Sequence, residues 1–252
     1  MSHDKQALIT GANRGIGQEV ARVLAVKGWK VLIGSRDAKK GEAAATRLKK
    51  ETRGRVKAIE LDVTDPDSIA AAVRKLKDGA VKIDALVNNA GVYGERNVRR
   101  TIETNFFGPL RMTQALLPLL APEARIVNVT SGLGALASLA ADRRRQLTDP
   151  DLSVDQLADL MNEYVAADGK GWGSSDPYGV SKAALNALTR ILARDLAGRA
   201  HVNATCPGWV RTDMGGRNAP RSVEEGAASV LFGVNAARSG KVFRDGVEVG
   251  PD

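Results

Sequence analysis

The chain has 252 residues, 43% apolar and 26% charged, enough to bury a core without disulfides or a structural metal. Its one cysteine, Cys206, excludes a disulfide framework and fits a reducing compartment; the polar start Met1–Gln6 and the lack of any apolar run near about 20 residues argue against a secretory leader or a bilayer span. The formal charge of +8 lies wholly in the first 60 residues, with fourteen basic and six acidic, and the only aromatic there is Trp29. That pattern suits a small polyanion better than nucleic acid, with solvated helix faces an equal account of Lys39, Lys40, Lys49 and Lys50.

Apolar runs alternate with helix-period segments. Ala7–Ile9, Val31–Ile33, Val56–Leu61, Ile83–Val87, Ile126–Val129 and Val202–Cys206 read as short buried strands. Between them Gln18–Lys27, Lys39–Lys50, Ile69–Lys77, Arg99–Leu117 and Ser181–Leu196 read as helices, with Asp65-Pro66 a helix start. Alternation of this kind predicts an α/β fold, one doubly wound domain over residues 1–252 with about seven parallel strands and helices on both faces. Only residues 135–173 break it. Two helical segments follow each other there with no strand between, the second opening on the capping-box spacing Ser153–Gln156, and they end in the loop Gly169–Pro177.

The first strand runs into Thr10-Gly11-Ala12-Asn13-Arg14-Gly15-Ile16-Gly17 and then a helix. Glycines there let the backbone approach a diphosphate at the helix N-terminus; a plain tight turn is the alternative. Where a free ribose hydroxyl would need a carboxylate, the second strand ends in Gly34-Ser35-Arg36. Arg36 and Arg14 therefore point to a 2′-phosphate, hence NADPH, unless Asp37 faces the ribose instead. Asp62 after the third strand could accept an adenine amino group or merely shape a turn. Asn88-Asn89-Ala90-Gly91 allows close backbone approach, its amides tying strand ends together. Asn105 is a poor helix former within its helix, and Gly108-Pro109 should distort that helix. Ser131 can hold a substrate oxygen. Tyr178 and Lys182 share one helix face, where an ammonium would lower a phenol's pKa.

In this order and over essentially the full length, TGANRGIG at 10–17, NNAG at 88–91, Asn105, Ser131, YGVSK at 178–182 and PGWVRT at 207–212 resemble the short-chain dehydrogenase/reductase family. The resemblance implies a Rossmann-type fold and Tyr178 as general acid for carbonyl reduction. It further implies that Ser131 orients the substrate oxygen, that Lys182 lowers the tyrosine pKa and holds the nicotinamide ribose, and that Asn105 anchors a relay water. Cofactor contacts are implied at Gly11, Asn13, Arg14, Gly15, Ile16, Gly17, Arg36, Asp62, Val63, Asn89, Ala90, Gly91, Tyr178, Lys182, Pro207, Gly208, Val210 and Thr212. Ser131 and Tyr178 stand 47 positions apart, similar to the carbonyl reductases, whose inserted helices cover a face used elsewhere for assembly; a monomer is expected. The segment Val92–Arg100 is short and the chain ends soon after Phe243, so a more open cleft is expected.

A hydrolase is disfavoured, since no serine stands in a G-x-S-x-G context, and no metal site is read. Trp209 either lines a substrate pocket or packs the sheet edge; Leu133 is a pocket candidate or core. The expectation is therefore a cytoplasmic, NADPH/NADP+-dependent reductase of small carbonyl compounds, without nucleic-acid or membrane partners. A cofactor-binding sensor that keeps the fold is the rival reading.

Overall fold

The computed structural model describes residues 4–94, 96–173 and 176–250; the first three residues and two serines of the Gly169–Pro177 loop fall outside it. One sheet organises the chain: β1 (Gln6–Ile9), β2 (Lys30–Ser35), β3 (Arg55–Glu60), β4 (Ile83–Asn88), β5 (Leu120–Val129), β6 (Ala200–Thr205), β7 (Val242–Arg244) and β8 (Val247–Val249), in the order β3-β2-β1-β4-β5-β6-β7-β8. Neighbours from β3 across to β7 pair in parallel, and β8 returns antiparallel to β7. Six of the parallel strands coincide with the predicted apolar runs. β7 and β8 have three residues each, too short for periodicity to reveal.

Alternate side chains leave each strand on opposite faces, so the sheet has two cores. Leu8, Leu86 and Ile126 pack on one side, with α3 (Pro66–Asp78), α5 (Gly108–Leu116) and α8 (Pro177–Asp195). Ala7, Ile9, Ala85, Val87 and Val127 pack on the other, with α1 (Gly15–Val26), α2 (Ala38–Thr52) and α9 (Val223–Asn235). Strand order reverses between β1 and β4, so a crevice opens at their carboxyl ends, where ligands of open α/β sheets bind.

The expected distortion is present. The run after β4 divides into α4 (Val98–Ile102), a wide π turn (Glu103–Phe107) and α5, with the Gly108 N–H reaching back to the Glu103 carbonyl. Pro109 has no N–H to offer Asn105, four residues earlier, which is why the α-helical ladder cannot run through. Gly108 also lets this turn lie against Val63, since a Cβ there would come within 2.9 Å of the valine methyl.

Residues 141–166 form α6 (Ala141–Thr148) and α7 (Val154–Ala166), the second closed by the reciprocal Ser153–Gln156 capping box. Leu157, Met161 and Tyr164 of α7 enter the core. Arg190 and Arg194 on α8 donate to the carbonyls of Leu147, Asp149, Pro150 and Leu152, tying the α6–α7 connection to α8.

Candidate active site

The glycine turn takes the shape expected of it. Gly11 and Gly15 adopt φ of 62° and 59°, the left-handed region, and a Cβ on Gly11 would meet the Ala90 Cα at 2.9 Å. A Cβ on Gly17 would collide with the Asn89 amide. The first turn of α1 has no side-chain cap over its N–H groups, so it fits an anion such as a dinucleotide diphosphate. Thr10 fixes the neighbouring strand end: its hydroxyl accepts from the N–H groups of both Asn89 and Ala90 at 3.0 Å, while Asn89 Nδ2 donates to the Thr10 carbonyl at 2.8 Å. Asn88 ties β4 to β5 through Asn128, 2.9 Å away, and Asn128 reaches Thr189 on α8. The amides thus link strand ends as the sequence suggested.

At the end of β2, Asp37 is the N-cap of α2 and accepts from the Lys40 N–H at 3.0 Å. This occupation turns it to the helix and leaves Arg36 exposed at the strand end. Arg14 is exposed as well, and its Nη1 meets Asp213 Oδ2 at 2.6 Å, joining the glycine turn to the loop after β6. Asp62 bonds the N–H and hydroxyl of Thr64 through Oδ1, so it does shape a turn, and Val63 is buried against α5. Beyond β6, Pro207 is buried, Gly208 has φ of 77°, Val210 bridges to Arg221, and the Thr212 hydroxyl accepts from the Gly215 N–H. Thr212 stands beside Gly15, with Ile16 half-buried next to it.

The four reactive candidates converge at the carboxyl ends of β4 and β5. Asp176 caps α8 by accepting from the N–H groups of Tyr178 and Gly179, which places Tyr178 in the first turn and Lys182 one turn on. The 131–134 turn lies directly on that helix, where a Cβ on Gly134 would meet Lys182 backbone at 2.8 Å. Lys182, 5% exposed, donates from Nζ to the Val129 carbonyl at 2.8 Å and sits 5.5 Å from the Tyr178 ring centre. Burial pulls its pKa down to about 8.

Tyr178 differs from expectation. Burial pushes its phenol up to about 12, and the hydrogen bond with Ser131 lowers it only in part. With its own pKa near 8, Lys182 has lost its charge before the phenol ionises, so no ammonium remains to depress it. Asn105 ties its turn to Val92 through its side chain. Fully buried, its amide donates to the Val92 carbonyl and Ser181 Oγ and accepts from the Val92 N–H, so its side chain is committed to protein.

Neither pocket candidate belongs to the core: Leu133 is 52% and Trp209 57% exposed, and the indole Nε1 donates to the Gly215 carbonyl at 2.8 Å. Sequence reasoning passed over Tyr93, whose ring centre lies 4.8 Å from that of Tyr178 at 76° between planes, and Ser181, which holds Asn105. Ser181 stood within the YGVSK motif; nothing in the residues around Tyr93 marked it.

Comparison with known proteins agrees with this geometry. A family model described as short chain dehydrogenase matches residues 5–141, and one described as enoyl-(acyl carrier protein) reductase matches residues 154–237. The chain is 37% identical to carbonyl reductase (NADPH) 1 of Mus musculus, covering 90% of this chain and 89% of that protein. It is 36% identical to (+)-neomenthol dehydrogenase of Arabidopsis thaliana, covering 89% of each. Among solved structures, salutaridine reductase from Papaver somniferum superposes with a TM-score of 0.87 at 29% identity, covering 96% of this chain and 99% of that one. Menthone neomenthol reductase from Mentha piperita gives 0.81 at 30% identity, covering 97% and 99%.

Proposed function

Because the chain belongs to the short-chain dehydrogenase/reductase family, we propose that it reduces an aldehyde, ketone or quinone carbonyl to the alcohol with NADPH, Tyr178 giving the proton. The observation that carries this reading is a half-buried phenol, held protonated at neutral pH, beside a serine hydroxyl and one helical turn from a buried lysine. A general acid must carry its proton at working pH, and a pKa near 12 satisfies that for the reductive direction.

In this reading the carbonyl carbon gains a C–H bond and the oxygen an O–H bond, the two electrons and carbon-bound hydrogen coming from the reduced nicotinamide when bound. Tyr178 donates the oxygen-bound proton, and Ser131 holds the same oxygen by a second hydrogen bond. The glycine turn cradles the diphosphate, with Gly11, Gly15 and Gly17 giving backbone access. Arg36, with Asp37 turned away into its cap, grips the 2′-phosphate together with Arg14. Asp62 and Val63 flank the adenine, while Asn89, Ala90 and Gly91 line the adjoining ribose. Lys182 holds the nicotinamide ribose, and Thr212, with Pro207, Gly208 and Val210, meets the carboxamide end. The proton lost by Tyr178 returns through a water on the main-chain carbonyl of Asn105, since the amide is occupied.

The bonds from Arg190 and Arg194 to the α6–α7 connection support a monomer, because they close the outer face of α8 from within the chain. A single buried thiol supports a reducing, cytoplasmic setting. Loss of NADPH absorbance across aldehydes, cyclic ketones, β-keto esters and quinones tests the activity. Silence across the panel, with NADPH still bound, refutes it.

A further inference from the structure

Four large apolar side chains left half-exposed gather at one end of the sheet. Tyr93 follows β4, Leu133 follows β5, and Trp209 and Met214 follow β6. Tyr93 alone among them meets the ring of Tyr178, edge against face with centres 4.8 Å apart, while 52% of its own surface stays open. Its backbone is anchored, for both the N–H and the carbonyl of the preceding Val92 bond the buried amide of Asn105, at 2.9 and 3.0 Å. The chain turns away directly after it at Gly94, with φ of 72°. A tyrosine has only two side-chain torsions, so a ring fixed at its base and against a neighbouring ring offers a rigid flat surface at little entropic cost. The Trp209 indole, tethered through Nε1 to the Gly215 carbonyl, is a second oriented aromatic plane on the neighbouring loop.

We infer that Tyr93 is a specificity-determining residue, lying against the Tyr178 ring and receiving the flat unsaturated part of an aryl aldehyde or aryl ketone on its open surface. This assignment rests on the carbonyl-reductase reading above. A saturated ring of equal size gains no ring–ring contact at such a surface, so the preference should fall on planarity and not on bulk.

The test compares benzaldehyde with cyclohexanecarbaldehyde, which carry the same carbonyl on a flat and a puckered six-carbon ring. NADPH oxidation is followed in the wild type and in Tyr93→Ala, Tyr93→Leu and Tyr93→Phe. Loss of one aromatic contact should lower the ratio of kcat/KM for benzaldehyde over cyclohexanecarbaldehyde about tenfold in the Ala and Leu variants, chiefly through KM, with Phe recovering the ratio. Leu keeps an apolar side chain at the position, and the thermal midpoint and NADPH Kd of each variant report that it is folded. An unchanged ratio in folded Ala and Leu variants, or an equal loss on both aldehydes, overturns the role of Tyr93 while leaving the reductase reading intact. A wild type that binds NADPH but reduces neither these aldehydes nor the wider panel overturns both.

Discussion

Replacing Lys182 by methionine should make the cofactor-free protein more stable while abolishing its turnover. The side chain is 5% exposed and its pKa falls from 10.5 to about 8, with burial as the main cause. Between those values the unfolded chain holds a proton that the folded protein has released, so wild-type stability climbs as pH rises from about 8 to 10.5. At pH 7 the buried cation then costs about 3 kcal/mol relative to an unshifted lysine, and at pH 9.5 about 1 kcal/mol. Methionine fills similar space without charge, but it strands the Val129 carbonyl, whose lost hydrogen bond costs about 1 kcal/mol. The net gain at pH 7 is about 2 kcal/mol, or about 4–8 °C in Tm for a domain of this size. Thermal unfolding of wild type and K182M without NADPH, at pH 7 and 9.5, measures it. The gain should shrink to near zero at pH 9.5. No gain at pH 7, or a gain equal at both pH values, would refute the argument that an uncompensated buried ammonium is held for function.

Other substitutions separate the parts of the site. Tyr178→Phe removes the transferable proton and little else, so turnover should fall by at least about a hundredfold while NADPH Kd, read by fluorescence titration, stays within about twofold; retention of most activity would remove Tyr178 from its role. Arg36→Asp puts a carboxylate at the strand end, and the ratio of NADPH to NADH affinities should drop by about tenfold or more, an unchanged ratio showing that Arg36 does not meet the phosphate. For reduction, kcat/KM should be flat from pH 6 to 7.5 and decline above about 8 as Lys182 loses its proton, since Tyr178 remains protonated throughout. A pH profile flat through pH 9.5 would show that the cation is not required.

The parallel sheet was legible because six of its strands are apolar runs placed between amphipathic segments, and a strand buried on both faces leaves that mark in sequence. β7 and β8 left none. Phe243 is the one buried hydrophobe of β7, and pairing of the hairpin with β6 rests on backbone groups that composition does not encode. The ambiguity between Arg36 and Asp37 needed coordinates, because both lie where a ribose could be met. The cap that the aspartate makes on α2 favours Arg36, because that local bond competes with any ligand for the same carboxylate.

Two features of the site were invisible for a deeper reason. That Tyr178 and Lys182 share a helix face follows from their spacing, but the sign of the phenol's shift depends on how deeply the fold buries both groups. Burial brings Lys182 down to about 8 and the phenol up to about 12, so the lysine is neutral before the phenol ionises and burial outweighs attraction. Tyr93 is the same problem in another form. Its position follows from Asn105 gripping Val92 from both sides, which in turn depends on a π turn that buries an amide where a regular helix would have carried it past. A motif records which residues recur; it does not record which neighbour an irregular turn brings beside them.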